Sequence, residues 1–198
     1  MAITNCNYLM DASLVPDCVN PLVAGYEEEA LLLNFDDIVS FECLTTAPRG
    51  EWNAVVRKVG TMGYPIKMIG ATPFSGTVKA GVIGASGNRT QKTVQFTFAD
   101  AGLSADNKVD ILHNGKFVVI MRPLHAGSDA KSKFEIIGKE SPLRLTASAQ
   151  DRNSADTNGG YAITLQTTEP HAGNYLWDTD YATTLADYEA LKVAAVAP

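Results

Sequence analysis

Residues 116–165 constrain the fold most, because this stretch consists of short strand-like runs separated by turn residues. It opens with Lys-Phe-Val-Val-Ile-Met-Arg, a run rich in β-branched and aromatic residues that Pro123 closes. Three shorter runs with strand-like patterns follow, at residues 133–138, 143–146 and 161–165. A polar loop that ends in Asn158-Gly159-Gly160 separates the last two. Strands bounded by such residues predict an antiparallel β meander.

The clearest single strand is predicted at residues 89–98, where apolar and polar residues alternate. Val94, Phe96 and Phe98 would lie on one face, and the intervening Thr and Gln residues on the other. Further strands are expected at residues 30–35, 38–44 and 52–59. The first of these could also be a short helix, but its length and its flanking residues favour a strand.

Two helices are predicted among these strands. Ser104 is the expected N-cap of a helix over residues 105–112, which Asn114-Gly115 would end. Val109 and Leu112 give this helix a narrow apolar stripe that suits packing on a sheet. A second, short helix is expected at residues 185–193, with Thr183 or Thr184 as its cap. The fold class is therefore mainly β, a β-sandwich or barrel with one packed helix and a short C-terminal helix.

The chain divides into an irregular N-terminal arm, residues 1–29, and a single β-rich domain, residues 30–198. Pro16 and Pro21 interrupt any helix in the arm. Residues 60–87 contain seven glycines together with strand-like pieces, which predicts a long hairpin or loop. We expect the arm and this hairpin to contact neighbouring copies of the chain, since loops of such length are usually functional or disordered. Deleting residues 61–86 is expected to leave a soluble subunit that no longer assembles.

Composition excludes several classes of protein. The 198 residues carry a formal net charge of −6 and no basic tract, which argues against binding nucleic acid through clustered Lys and Arg. No stretch is apolar enough to predict a membrane span, and no secretory signal is expected at the N-terminus. Cys6, Cys18 and Cys43 are expected to be free thiols, with a Cys6–Cys18 disulfide as the alternative.

No catalytic, cofactor-binding or metal-binding residues are assigned, and the chain is not expected to be an enzyme. Four acidic and histidine side chains near the C-terminus are candidate metal ligands, but nothing in the sequence makes them converge: Glu169, His171, Asp178 and Asp180. The loop that starts at Asp151 begins like a calcium loop and then lacks its glycine and its final Glu. The glycine-rich residues 81–87 lack the Gly-Lys-Ser/Thr of a phosphate loop, and Ser86 lies outside any nucleophile motif.

The second half of the chain resembles the tail tube (major tail) proteins of Bacteroides-type phages and prophages. The residues that carry the resemblance are 134–138, 143–146, 159–165 and 183–191. At residues 141–143 the chain has Ser-Pro-Leu in place of the usual Gly-Leu step. The first half of the chain resembles this family only weakly.

The resemblance implies a virion structural protein, a tail tube subunit whose rings stack into a conduit for DNA. It implies six copies in each ring, contacts with tape measure, neck or terminator and baseplate proteins, assembly in the host bacterial cytoplasm, and no membrane association. DNA would pass through the lumen without specific binding, so we expect a neutral to acidic wall. The alternatives are another tail or neck ring protein, or a receptor- or carbohydrate-binding β-sandwich of the virion. Four aromatic residues would serve that last alternative: Trp52, Tyr175, Trp177 and Tyr181.

Overall fold

The computed structural model describes residues 22–44, 49–68, 70–84, 87–127 and 130–196. It is mainly β, with strands in three sheets and two α-helices, so the predicted fold class is confirmed. The strands are β1 (Glu29–Asn34), β2 (Ile38–Glu42), β3 (Glu51–Trp52), β4 (Ala54–Arg57), β5 (Tyr64–Lys67), β6 (Val78–Gly84), β7 (Gly87–Phe98), β8 (Phe117–Met121), β9 (Glu135–Ile137), β10 (Arg144–Gln150), β11 (Tyr161–Glu169) and β12 (Tyr175–Leu176). The helices are α1 (Leu103–Asn114) and α2 (Tyr181–Ala190).

The central layer is a six-stranded sheet in the order β3-β12-β9-β8-β1-β5. Its middle strand β8 is buried along its whole length, which explains why its sequence is a continuous apolar run rather than an alternating one. Side chains on the two faces of β8 and β1 belong to two different hydrophobic clusters. Val119 and Leu32 lie in the first cluster, and Ile120 and Leu31 lie in the second.

A four-stranded antiparallel sheet, in the order β10-β11-β7-β6, packs against the first cluster. Val94 and Phe96 of β7 and Ile163 and Leu165 of β11 are its buried contributions. The alternation predicted for residues 89–98 is therefore confirmed. The two sheets face each other across this cluster, and α1 covers one side of it through Val109.

The second cluster is covered by α2 and by the two-stranded sheet of β2 and β4. Tyr188 of α2 is fully buried there against Phe134, with ring centroids 5.3 Å apart. The predicted cap of this helix was wrong. The helix begins at Tyr181, and the Asp180 carboxylate accepts the Thr183 N–H at 2.7 Å. Thr184 is instead buried, and its hydroxyl donates to the Asp180 carbonyl.

The predicted start of α1 was also wrong by a small margin. The helix begins at Leu103, and Gly102 occupies the N-cap position with a φ of 102°, a conformation that favours glycine. Ser104 lies inside the first turn and caps nothing. The helix therefore begins from the glycine two residues before the predicted serine cap.

Residues 60–87 do not form one hairpin, contrary to the sequence-based prediction. β5 pairs with β1 in the six-stranded sheet, whereas β6 pairs with β7 in the four-stranded sheet. Phe74, between them, is 1% exposed and packs in the first cluster. The predicted meander at residues 116–165 is likewise divided, because β8–β9 and β10–β11 are hairpins of different sheets. Of the predicted arm, residues 1–21 lie outside the described residues, and Tyr26 forms an isolated bridge to Pro123.

Candidate functional site

The outer strand of the β6–β7 hairpin, β6, is the most exposed strand of the described chain. Its pairs run from Val78 opposite Thr93 to Gly84 opposite Gly87. Every residue of β6 is exposed, and Ile83 near the tip is 89% exposed. Val78 and Val82 add further apolar surface on the same strand. A strand with apolar side chains in solvent is a candidate contact surface.

The four-stranded sheet has an open edge on each side. β6 is its last strand on one side and β10 on the other, and each has seven residues and no proline. No strand within residues 22–196, as far as these are described, pairs with the outer edge of either one. Unpaired edges offer a row of N–H and C=O groups to another strand; the β6 edge is regular, whereas β10 has a bulge between Leu145 and Ala147.

The six-stranded sheet ends differently. Its edge strand β5 contains Pro65, which has no N–H to offer to a neighbour, and its other edge strand β3 has only two residues. Proline and very short edge strands are common ways in which proteins prevent sheets from joining. The contrast favours the four-stranded sheet over the six-stranded sheet as the one whose edges are available for pairing.

Two ion pairs anchor the base of the hairpin, one of them completely buried and the other with a partly exposed lysine. Lys79 of β6 and Lys92 of β7 are direct cross-strand partners that face the interior. Lys92 donates to Glu169 of β11 at 2.6 Å, and both side chains are completely buried. Lys79 pairs with Glu135 of β9, a strand of the other sheet. The hairpin is therefore tied by charge both to its own sheet and to the opposite one.

Burial affects the titration of groups around this anchor. Burial raises the pKa of Glu135, while the adjacent Lys79 and Lys92 act in the opposite direction. Burial also raises the pKa of Tyr26 to about 12, and the negative charge of Glu135 adds to that shift. Tyr26 and Glu135, together with Lys79, line a surface pocket of about 330 Å³.

The four aromatic candidates do not share one surface. Trp52 pairs with Leu176 on neighbouring strands, so its side chain lies on the face opposite that of Tyr175. The Trp52 indole donates to Asn174 at 3.2 Å, and the Lys139 ammonium lies 3.6 Å from its ring centroid. The remaining two are also engaged: the Trp177 ring is 6.0 Å from the Lys131 ammonium, and the Tyr181 ring packs 5.9 Å from Phe134.

The four side chains considered as metal ligands have different partners. Glu169 binds Lys92, and Asp180 caps α2. His171 lies 3.6 Å from Glu140 and 2.7 Å from the Arg49 guanidinium. Asp178 accepts from the neighbouring Thr179 hydroxyl at 3.3 Å. Across the described part of the chain, no three His, Cys, Asp or Glu side chains gather in a way that could hold a metal ion.

The other motifs considered in the sequence fall in ordinary local structure. Gly81 and Gly84 lie within β6, a strand, rather than in a phosphate-binding loop. The Asp151 carboxylate accepts the Asn153 N–H at 2.9 Å and so closes a turn. Cys43 is an exposed free thiol. Cys6, Cys18 and Ser86 lie outside the described residues.

Neither helix among the described residues is long and apolar enough to cross a membrane. Comparison with known proteins adds no relative: no family model, no curated protein and no solved structure matches this chain.

Proposed function

We propose that this chain is a self-assembling virion protein, a phage tail tube subunit that joins its copies through the four-stranded sheet. The observation that carries the proposal is the pair of open edges, β6 and β10, on opposite sides of one sheet. The sequence resemblance supplies the class of particle. Rings of six copies that stack into a DNA conduit, and contacts with other tail proteins, follow from that resemblance.

Strand direction supports a ring. The sheet contains four strands, all antiparallel to their neighbours, so its two edge strands run in opposite directions. When β6 of one copy lies beside β10 of the next, the junction is therefore antiparallel as well. The same junction can repeat from copy to copy, which is the head-to-tail contact that closes into rings. Closure would leave no edge of this sheet open.

The basic test is self-association. Light scattering and negative-stain electron microscopy of the purified protein are expected to reveal rings or tubes. A monomer at every concentration would refute the proposal.

Two proline variants test the role of the β6 edge. Adjacent residues of an antiparallel strand direct their N–H groups to opposite sides. One of Ala80→Pro and Gly81→Pro therefore removes an N–H from the open edge, and the other removes one from the hairpin. The edge variant should keep the melting temperature of the wild type and lose assembly, whereas the hairpin variant should melt earlier. Normal assembly by the variant with the unchanged melting temperature would refute edge pairing.

Cysteine cross-linking distinguishes a ring from a two-fold dimer. In a background without the native cysteines, Val82→Cys lies on β6 and Ala147→Cys lies on β10. A ring requires both cysteines in one chain for a ladder of linked multimers, and each single variant should stay unlinked. Efficient linking of Val82→Cys alone would indicate that two β6 edges pair around a two-fold axis.

A further inference from the structure

Two glutamates are buried between the sheets, and their carboxylate oxygens are satisfied to different degrees. Glu169 accepts from the Lys92 ammonium with one oxygen, at 2.6 Å, and from the Glu140 N–H with the other, at 2.9 Å. The Glu135 side chain is 3% exposed, and its one ion-pair or hydrogen-bond partner among the described residues is the Lys79 ammonium. A carboxylate has about four acceptor positions, and buried polar groups nearly always find partners. Glu135 therefore keeps acceptor capacity that the described part of the chain does not use.

This carboxylate belongs to the wall of the surface pocket of about 330 Å³. The pocket lies beside the edge strand β6, between the two sheets, and the segment 123–132 after β8 contributes to its rim. Its volume lies at the lower end of the ~300–1,000 Å³ range of small-molecule sites. The polar and aromatic side chains that line it are Tyr26, Lys79, His125, Ser132, Glu135 and Tyr175.

The pocket holds an ammonium and a carboxylate side by side. The Lys79 ammonium pairs with Glu135 and lies 5.7 Å from the ring centroid of Tyr175, which is the cross-strand neighbour of Glu135. Because the Lys79 side chain is 29% exposed and an ammonium has three donors, it can also donate to a ligand. Burial raises the pKa of the Tyr26 phenol to about 12, so this hydroxyl stays protonated and can donate as well. The wall therefore offers donors and acceptors together, and the ion pair has no net charge.

We infer that this pocket binds a neutral, polyhydroxylated ligand of the size of one sugar ring, whose adjacent hydroxyls are held by Glu135 and Lys79. A hydroxyl both donates and accepts, so neighbouring hydroxyls can donate to the carboxylate and accept from the ammonium at the same time. A ligand with a net charge would attract one member of the pair and repel the other. The rings of Tyr26 and Tyr175 supply apolar surface for the C–H groups of a sugar. This site is a further binding function, and it does not depend on whether the copies form rings.

Saturation-transfer NMR with the purified chain tests the class of ligand. The sugar probes are glucose, galactose, mannose and N-acetylglucosamine, and the comparison probes are alanine, a zwitterion, and acetate, an anion. At least one sugar should receive saturation at millimolar concentration, whereas alanine and acetate should receive none. Transfer to alanine or acetate but to no sugar would overturn the assigned ligand class. Transfer to none of the probes would overturn the site itself.

Three variants test the residues of the pocket with the sugar that binds best. Glu135→Gln should weaken its binding at least about tenfold, because hydrogen bonds to a charged group are the stronger ones. Glu29→Gln is the matched control: it also removes a partly buried, lysine-paired carboxylate, but one outside the pocket, and it should bind as the wild type does. Ser132→Trp, at the partly exposed rim, should block binding without changing the ion pair, and so keeps the test valid if Glu135→Gln does not fold. Unchanged binding by folded Glu135→Gln or by folded Ser132→Trp would overturn the inference, with the melting temperature as the check of folding.

Discussion

The fully buried pair of Lys92 and Glu169 gives the sharpest test of how the hairpin is anchored. The two charges are 2.6 Å apart, and neither side chain is exposed. The second carboxylate oxygen of Glu169 accepts the Glu140 N–H at 2.9 Å. Lys92→Met removes the positive charge and leaves Glu169 charged in the interior. Glu169→Gln removes the negative charge but keeps an oxygen that can accept from Glu140.

Removing one partner of a buried ion pair costs ~3–5 kcal/mol, because the remaining charge loses its compensation. That is roughly a hundredfold to several thousandfold in the folding equilibrium. Lys92→Met has a second effect, since Lys92 also lowers the pKa of the buried Glu135. The double variant Lys92→Met/Glu169→Gln has no uncompensated charge. It should therefore lie within ~1 kcal/mol of the wild type, or above it.

The measurement is denaturant unfolding followed by tryptophan fluorescence, at one protein concentration for all variants. A double-mutant cycle should give a coupling energy of at least ~2 kcal/mol. The control is Lys108→Met, which breaks an exposed pair with Asp100 at 3.4 Å and should change the free energy of unfolding by under ~1 kcal/mol. The reasoning would be refuted if the single variants lost no more free energy of unfolding than this control. It would also be refuted if the loss in the double variant equalled the sum of the losses in the two single variants.

Three other predictions concern local structure. Asp180→Ala should lower the melting temperature and Asp180→Asn should preserve most of it, because either Asp or Asn can accept the Thr183 N–H. That same hydrogen bond lowers the pKa of Asp180. The stabilisation that the Asp180 carboxylate contributes is therefore present above the unfolded-state pKa and is lost as pH falls through the folded-state pKa. The Asn variant should lack this pH dependence. Gly138→Ala should destabilise by ~2 kcal/mol or more, because its φ is +95° and an added Cβ would lie 2.7 Å from a main-chain oxygen of β8. The control is Gly60→Ala: its φ is +82°, but an added Cβ would meet no atom within 4 Å, so this variant measures the conformational strain alone. Burial raises the pKa of Tyr26 to about 12 from 10.0. Between these two pH values unfolding releases a proton, so the free energy of unfolding should fall as pH rises. Tyr26→Phe should reduce this pH dependence of the free energy of unfolding, measured by urea titration.

Local sequence patterns located most of the strands because alternation and turn residues are local signals. Apolar and polar residues alternate along residues 89–98, as expected for a strand with one buried face, and β7 includes all of these residues. The apolar run at the start of residues 116–165 became β8, and the run at residues 30–35 became β1. The predicted strand at residues 52–59 is broken at Asn53, where the chain leaves one sheet and enters another. Nothing in the local pattern marks that change of partner.

Sheet membership could not be predicted, because it depends on contacts between residues far apart in the chain. β5 and β6 are separated by about ten residues, yet one pairs with β1 and the other with β7. The glycines between them were compatible with a turn that would pair the two strands with each other. Phe74, buried between the sheets, is the residue that holds this connection to the core. In the sequence, this single aromatic residue among glycines was the signal that the connection between β5 and β6 is anchored in the core.

The buried pair of Lys92 and Glu169 did leave a signal in the sequence. Lys92 has the same parity along β7 as Val94 and Phe96, so the alternation that identified the strand also directs this lysine inward. Glu169 has the same parity as Leu165 along β11. A lysine and a glutamate that each continue an apolar face require a partner of opposite charge. Reading the strand pattern to its end would have predicted two buried charges, though not that they bind each other.

The fold also decides which perturbation can separate assembly from folding. Deletion of residues 61–86 was expected from the sequence to leave a soluble subunit that cannot assemble. Such a deletion removes β5, which covers one side of β1, and it removes Phe74 from the first cluster. Loss of a buried Phe alone costs ~3–5 kcal/mol, a large part of the ~5–15 kcal/mol that stabilises a domain. The deletion should therefore unfold the chain, and a failure to assemble would not distinguish an assembly element from a structural one. The prolines in β6 avoid this, because a residue at an open edge can lose its outward N–H without removing any contact inside the subunit.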